Sequence, residues 1–373
     1  MQSICKIFLV TAGLLVVLLS ACAPHFVPMV KKNPAAEYYR MGMFSLKEDS
    51  LKTAAQEFHA AVKSDSTYAP AWAGLGYILG IFGKYDLGLK YINKSIRITP
   101  SADAYAFKGR FFLHSQKPDG WAEKAAEAFD RALDLEPYHP DALFFKSQLF
   151  KRSGNLEGAI SLLKTLNSLK DIKYPQSDSM LSSLLSIKQE NPETPTGIKI
   201  ALRDSVTRAG LAALLDIEIQ LVKKLEKNRP VPFQGFVSQS LTGGDTALTI
   251  TDIEGHWAEI SVRRMVYADV FDVYPDDTFR PEKKVKRRDA ALVFQNVLVQ
   301  YFGEQIATRY VNRPSDFVDI DRDHYAYNAI NLVSELEIMT FKRDVQQFSP
   351  NEPLDGFDAL RAVHQLRSVL DSL

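Results

Sequence analysis

The sequence predicts a mainly α-helical chain, a solenoid of paired helices followed by repeated helix–loop–helix modules, and three observations predict it. Between residues 35 and 172, large and small side chains recur at a period of 34. From Thr251 a longer pattern occurs twice, with 67 residues from Asp252 to Asp319 and 69 from Phe279 to Phe348. Ahead of both, Lys6 precedes a weakly polar to apolar run of 13 residues, Ile7 to Leu19. At roughly 150 residues per domain, the 373 residues allow two or three domains. The 45 Lys and Arg balance 45 Asp and Glu, and 46% of the chain is hydrophobic, so wholesale disorder and a global polyanion binder are both excluded.

The 13-residue run is too short for a hydrocarbon core needing roughly 20 residues and fits the apolar region of an export signal. It ends in Leu19-Ser20-Ala21-Cys22, which resembles the lipobox of bacterial lipoproteins. The resemblance implies cleavage before Cys22, lipidation of its thiol (a palmitate-type acyl anchor) and, because Ala23 follows in place of Asp, the outer membrane facing the periplasm of a diderm cell. An ordinary cleaved signal or a short anchor is the alternative. Several acyl chains, at about 0.8 kcal/mol per buried CH₂, would make the anchoring effectively permanent. Cys5 and Cys22 are the only cysteines, too few for a disulfide scaffold or a four-ligand zinc site.

Within the repeat region Tyr38, Gly42, Ala54, Phe58 and Ala61 recur 34 positions later as Trp72, Gly76, Gly88, Ile92 and Ser95. A third unit has Tyr105, Gly109, Ala125, Phe129 and Ala132, with extra residues around Pro118-Asp119-Gly120 in its turn, and a weaker fourth follows from Pro140. The pattern resembles the tetratricopeptide repeat (TPR), in which small residues let paired helices approach closely and the stack leaves a groove for a partner protein or peptide. Tyr38, Trp72, Tyr105 and Phe129 fall on packing positions. Phe111, Phe112, Phe144 and Phe145 are candidate groove residues, because adjacent rings lie about 100° apart on a helix and one of each pair is expected to be exposed. Ser177 to Gln189 is expected to cap the stack.

The C-terminal motifs are Asp252-Ile253-Glu254-Gly255-His256-Trp257, Tyr274-Pro275-Asp276-Asp277-Thr278-Phe279 and Val285-Lys286-Arg287-Arg288-Asp289, with a divergent second copy through Asp319, His324, Phe348 and Leu354-Asp355-Gly356. In the first full copy Gly255 and the Pro275 turn punctuate the chain, so each module is read as helix, loop, helix. Val206-Thr207-Arg208-Ala209-Gly210 repeats the start of the second helix without a recognisable first half upstream. Order and spacing resemble S-layer homology (SLH) modules. That resemblance implies a pseudo-threefold helical unit, here with a degenerate first module, which contacts peptidoglycan or a cell-wall polysaccharide. Carried over residue by residue, it gives Trp257, Asp276, Arg208, Arg287 and Lys286 as glycan-contacting candidates, with Asp252 orienting a helix start. The family's turn glycines are replaced by Asp269, Val273 and Asp277, which would fill the groove or forbid a positive φ, and Gly356 stands where the basic residue belongs. The run Lys283, Lys284, Lys286, Arg287, Arg288 is either a polymer-facing patch or a solvated face.

The boundaries are then a signal at 1–21, a tether at 22–34, about four repeats at 35–172, a capping helix and linker at 173–194, a half module at 195–228, a linker at 229–250, and modules at 251–312 and 313–373. No histidine pair has a metal-ligand spacing, and no GxSxG, P-loop or GxGxxG occurs, so neither enzyme nor cofactor is expected. His256 and His324 occupy equivalent positions, which argues for packing or a helix start. Export disfavours nucleic acid. The expected function is a non-enzymatic envelope lipoprotein, a scaffold or tether whose repeats bind an envelope protein and whose modules contact the wall. The alternative is an assembly or pilot lipoprotein for a secretion, pilus or outer-membrane complex, in which those modules are structural; a surface-layer attachment protein ranks below both.

Overall fold

The computed structural model describes residues 33–169, 174–228 and 250–372, except 312 and 316. The signal segment, Cys22, most of the tether and most of the 229–250 linker lie outside the described residues. Among the described residues the chain is helical, without strands and without a helix long and apolar enough to cross a membrane. It divides into two compact units between Thr99 and Pro100.

The first unit contains two helical hairpins, α1 (Pro34–Lys47) with α2 (Leu51–Ser64) and α3 (Ala69–Ile81) with α4 (Tyr85–Ile98). Small residues set the spacing of each hairpin. A Cβ on Gly42 would fall 2.6 Å from the Phe58 ring, and one on Gly76 would fall 2.6 Å from the Gly88 carbonyl oxygen. Trp72 is buried, with its indole N–H donating to the Ser66 carbonyl at 2.9 Å. Tyr38 departs from its expected core role and is 40% exposed, because no described helix precedes α1 to cover that face.

The second unit opens with α5 (Ala102–Ser115), α6 (Trp121–Leu135), α7 (Pro140–Ser153) and α8 (Leu156–Asn167). Gly109 repeats the device, since its Cβ would lie 2.4 Å from the Phe129 ring. Helix α9 (Pro175–Glu190) buries Leu184 and Ile187 and packs on α8, as expected of a cap. Its far end is not a free end, however, because it also meets the last helix of the chain. One hydrophobic core therefore runs from Leu143 through to Leu370.

Module A comprises α10 (Pro195–Ala201), α11 (Arg208–Ala213) with the π-helical turn Leu214–Glu218 that continues it, and α12 (Leu221–Asn228). Module B is α13 (Glu259–Tyr267) and α14 (Arg287–Phe302), and module C is α15 (Tyr327–Glu335) and α16 (Gly356–Asp371). Short α10 supplies the first half that the sequence does not announce for module A.

The three modules meet at one ring of backbone hydrogen bonds. Val285 N–H donates to the Val206 carbonyl at 2.9 Å, Val206 N–H to Leu354 at 2.8 Å, and Leu354 N–H to Val285 at 2.9 Å. All three side chains are buried, so the polar centre is closed by the modules themselves and screened from water.

Buried polar groups tie the modules further. Asp216, in the π-helical turn, accepts from Ser261 at 2.8 Å and pairs with Arg264 at 3.3 Å. His364 on α16 bridges Glu190 of α9 at 3.0 Å and Glu218 of module A at 3.2 Å. Hydrogen bonding to Glu218 raises the His364 pKa above its usual 6.5 against the opposing effect of burial. Burial pushes Glu218 upward but is outweighed by hydrogen bonds from His364, Thr194 and the Glu193 backbone, which hold it below 4.5.

The raised histidine stabilises fully below 6.5 and loses that contribution as pH rises through its folded value, whereas the depressed glutamate stabilises above 4.5 and loses it as pH falls. The pair thus contributes most between 4.5 and 6.5. His364→Asn is expected to lower the Tm more near about pH 5.5 than near about pH 8.5; an equal loss at both would contradict the assignment.

Candidate functional site

Each second helix begins two residues after its ring-forming residue, so Arg208, Arg287 and Gly356 are the first residues of α11, α14 and α16. Arg208 of module A reaches into the turn of module B, donating from Nε to the Phe279 carbonyl at 2.8 Å and from Nη2 to Asp272 at 2.7 Å, with its guanidinium 4.6 Å from the Phe279 ring centre. Arg287 of module B repeats this in module C, donating to the carbonyls of Phe348 (2.8 Å) and Thr340, and lying 4.7 Å from the Phe348 ring. Burial lowers both guanidinium pKa values from the usual arginine range.

Arg287 is 8% exposed and also faces Asp358 at 3.5 Å. Its donors are spent on the protein, which corrects the expectation that it contacts glycan. Asp358 is correspondingly raised by burial and by Asp355, against the pull of Arg287.

The absent third arginine has a steric reason. A Cβ on Gly356 would fall 2.0 Å from the Ile200 carbonyl oxygen, and Gly356 N–H donates to the Arg203 carbonyl at 2.9 Å. Module A lacks the long turn that would receive an arginine, and the backbone at the end of α10, Ile200 and Ala201, occupies the place instead.

Asp252 likewise has a different role from the one expected of it. Its carboxylate accepts from the N–H groups of Phe279 and Arg280, both at 2.7 Å, and Asp319 accepts from Phe348 at 3.0 Å and Ser349 at 2.7 Å. Each aspartate pins the turn that the preceding module's arginine enters. Helix starts are instead served by His256 and His324, whose Nδ1 atoms accept from Ala258 N–H at 3.2 Å and Ala326 N–H at 3.1 Å.

Substitution of the turn glycines leaves the left-handed backbone in place at Asp269 and Asp277, though not at Val273. Asp269, Asp277 and Arg280 have φ of 56°, 56° and 58°, and Glu337, Gln346 and Ser349 repeat them at 54°, 49° and 60°. Asp tolerates this region better than most residues. The groove is therefore retained.

That groove, about 160 Å³, lies between modules A and B and is lined by Arg208, Tyr274, Lys283, Lys284 and Asp289 among others. Its centre is the Tyr274 ring, with Arg280 at 4.0 Å, Arg208 at 5.0 Å and Lys283 at 5.1 Å from the ring centre. Lys283 also donates to the Tyr274 hydroxyl at 2.8 Å. Arg280 is paired with Asp276 at 3.0 Å, and the remaining cations beside one aromatic favour an anionic ligand carrying an apolar face.

The remaining candidates lie apart from the groove lining. Trp257 is 60% exposed beside His256, and its counterpart Tyr325, 63% exposed, donates to Asp289 at 3.3 Å. Asp276 is exposed, and hydrogen bonds from Thr278 and Arg280 lower its pKa to about 2, so it serves the turn. Lys286 is exposed at the N-cap of α14, and Arg288 is half-buried against Asn351. The basic run thus divides between groove (Lys283, Lys284), surface (Lys286) and interior (Arg287). Tyr274 and Tyr325 were not singled out from the sequence, although the offset of 68 residues from Trp257 to Tyr325 marks the latter.

In the repeats, Phe111, Phe112 and Phe144 are buried, and Phe145 is half-buried beneath Arg110 at 4.3 Å. Neither pair exposes a ring, because Tyr174 stacks on Phe144 at 4.3 Å and Arg110, held by Asp141 at 2.8 Å, covers Phe145.

Comparison with known proteins places a tetratricopeptide repeat model on residues 69–101 and an S-layer homology domain model on residues 249–291. The chain carries both module types. One is a protein-interaction repeat and the other an envelope-anchoring domain, so the coarse role is a scaffold or tether associated with the cell envelope. Among curated relatives, a cellulosome-anchoring protein of Acetivibrio thermocellus is 29% identical over 94 residues, 25% of this chain and 18% of that protein. A TPR repeat-containing protein of Methanocaldococcus jannaschii is 29% identical over 116 residues, 31% of this chain and 20% of that protein. The chain thus spans about a fifth of each relative's length. Among solved structures, a thermophilic TPR protein of Thermus thermophilus is 18% identical over 49% of this chain and 90% of its own, with a TM-score of 0.37. A TPR protein with an unusual peptide-binding site is 16% identical over 46% and 88%, with a TM-score of 0.29.

Replacing Arg287 by Met leaves two buried carbonyls and Asp358 without their donor, and is expected to cost about 3 kcal/mol of stability. Chemical denaturation measures it; a loss below about 0.5 kcal/mol would return Arg287 to the surface roles.

Proposed function

We propose that the protein is a non-enzymatic envelope lipoprotein acting as a scaffold or tether. Acyl chains on Cys22 hold it to the outer membrane on the periplasmic side, the helical repeats recruit an envelope protein, and the SLH-like modules contact an anionic cell-wall polymer. The observation that carries the wall-binding part is the cluster of Arg208, Arg280 and Lys283 around Tyr274, within the residues that the S-layer homology model matches or beside them. The repeated turn backbone at Asp269, Asp277 and Arg280 supports the same reading by keeping the groove open. The name of the Acetivibrio thermocellus relative, an anchoring protein, agrees with it.

Ligand contact is assigned to Tyr274, Lys283 and Lys284, with Trp257 and Lys286 on the adjoining surface and Arg208 and Arg287 shaping the turns. The alternative, an assembly or pilot lipoprotein, draws support from Tyr38, Met41 and Phe44, which expose apolar surface on α1.

Pelleting of the full chain with purified peptidoglycan sacculi tests the proposal. Lys283→Glu/Lys284→Glu is expected to weaken binding about tenfold, steeply with salt, and Trp257→Ala less. Wild type that stays in the supernatant would remove wall binding. In parallel, labelled palmitate is expected on wild type and absent from Cys22→Ala, and an unlabelled wild type would remove the lipid anchor.

A further inference from the structure

A second groove, of about 660 Å³, lies where the last repeat meets module A, outside both matched regions. One wall is the final turn of α7, contributing Lys151 and Arg152, and the facing wall is α10 with the residues just after it, contributing Lys199 and Arg203. The walls touch at Gly154, where an added Cβ would come within 3.0 Å of Lys199 Cγ, so this cation's stem has a fixed seat. Asp204 is the one acidic residue in the lining, and it already pairs with Lys151 at 3.3 Å. Arg152 donates one N–H to the Leu113 carbonyl at 3.2 Å. Four cations therefore face one occupied carboxylate.

Two further features give the groove its character. The amino end of the 15-residue α6 opens into it, with Gly120 at the cap supplying no side-chain acceptor and Trp121 in the lining. Trp121 and Met180, both half-buried, supply apolar surface between the charges.

We propose that this groove binds an acidic peptide segment bearing apolar side chains, contributed by the protein that the repeats recruit. The proposal rests on the recruiting role given to the repeats above, and it names the chemistry of the partner. Carboxylates gain charge-assisted hydrogen bonds from Lys199, Arg203 and Arg152, while aliphatic side chains cover Trp121 and Met180. A neutral glycan suits it less well, because sugar hydroxyls need acceptors as well as donors and the one carboxylate is taken.

The probe is a fluorescein-labelled decapeptide of alternating Glu and Leu, titrated with the full chain and read by anisotropy. Lys199→Gln/Arg203→Gln is expected to bind about tenfold more weakly, and the same peptide with Gln for Glu is expected to lose about tenfold against wild type (about 1.4 kcal/mol each). Helicity by circular dichroism checks that the variant is folded, and the Gln peptide needs no variant at all. Equal binding of the two peptides by wild type, or equal binding of the Glu peptide by wild type and variant, would overturn the proposal. An envelope protein captured by wild type and equally by the variant would overturn the groove while leaving the recruiting role in place. Loss of sacculus pelleting in the variant without change in peptide binding would overturn it in favour of a wall contact.

Discussion

The ring of three backbone hydrogen bonds joining Val206, Val285 and Leu354 is the constraint on which the C-terminal architecture depends. Each residue donates to one neighbour and accepts from the other, so no module can leave without orphaning buried polar groups in both remaining ones. The ring fixes where the second helices begin. From those starts, Arg208 and Arg287 are carried into the turn of the next module, and the turn is held on its other side by Asp252 or Asp319. The third position closes by a different means. Gly356 meets the backbone of the last two residues of α10 directly, which is why a glycine stands there and why a shortened module A completes the ring.

This architecture separates structural cations from available ones. Arg287 and Arg208 satisfy carbonyl oxygens of the fold, and their charge helps to hold the turns. Lys283 and Lys284 are left at the groove between modules A and B, Lys283 beside the Tyr274 ring, whereas Arg280 on that ring is paired with Asp276. The formal charge of zero for the whole chain hides this local excess, because acidic residues are spent elsewhere on turns and on pairs such as Arg110 with Asp141. The second basic groove, beside Lys199 and Arg203, arises where the repeats and module A are fused into one core.

Much of the fold was legible in the sequence. The 34-residue period located the helix pairs because Gly42, Gly76 and Gly109 each stand against a ring or a carbonyl where no side chain fits. The module repeat was legible because Asp252, Phe279 and Arg208 form one hydrogen-bonded circuit, so their types and spacing recur together. Exposure was less legible. Tyr38 has the right residue type for a core position but no described helix before α1 on that face, Phe111 and Phe112 are both buried, and Phe144 is covered by Tyr174, distant in sequence. The site was read only in part, since a motif arginine looks the same whether it faces solvent or the interior, and only the packing of Phe348 against Arg287 decides between them. Helix α10 was missed because seven residues carry too little periodicity to register.

Native-state amide hydrogen exchange at Val206, Val285 and Leu354 tests the closure of the three modules most directly. If the ring is the shared constraint, the three amides open together, with equal protection that approaches the global stability of the second unit. Protection at Val285 and Leu354 with fast, independent exchange at Val206 would contradict it, and would make module A an appendage of a two-module unit.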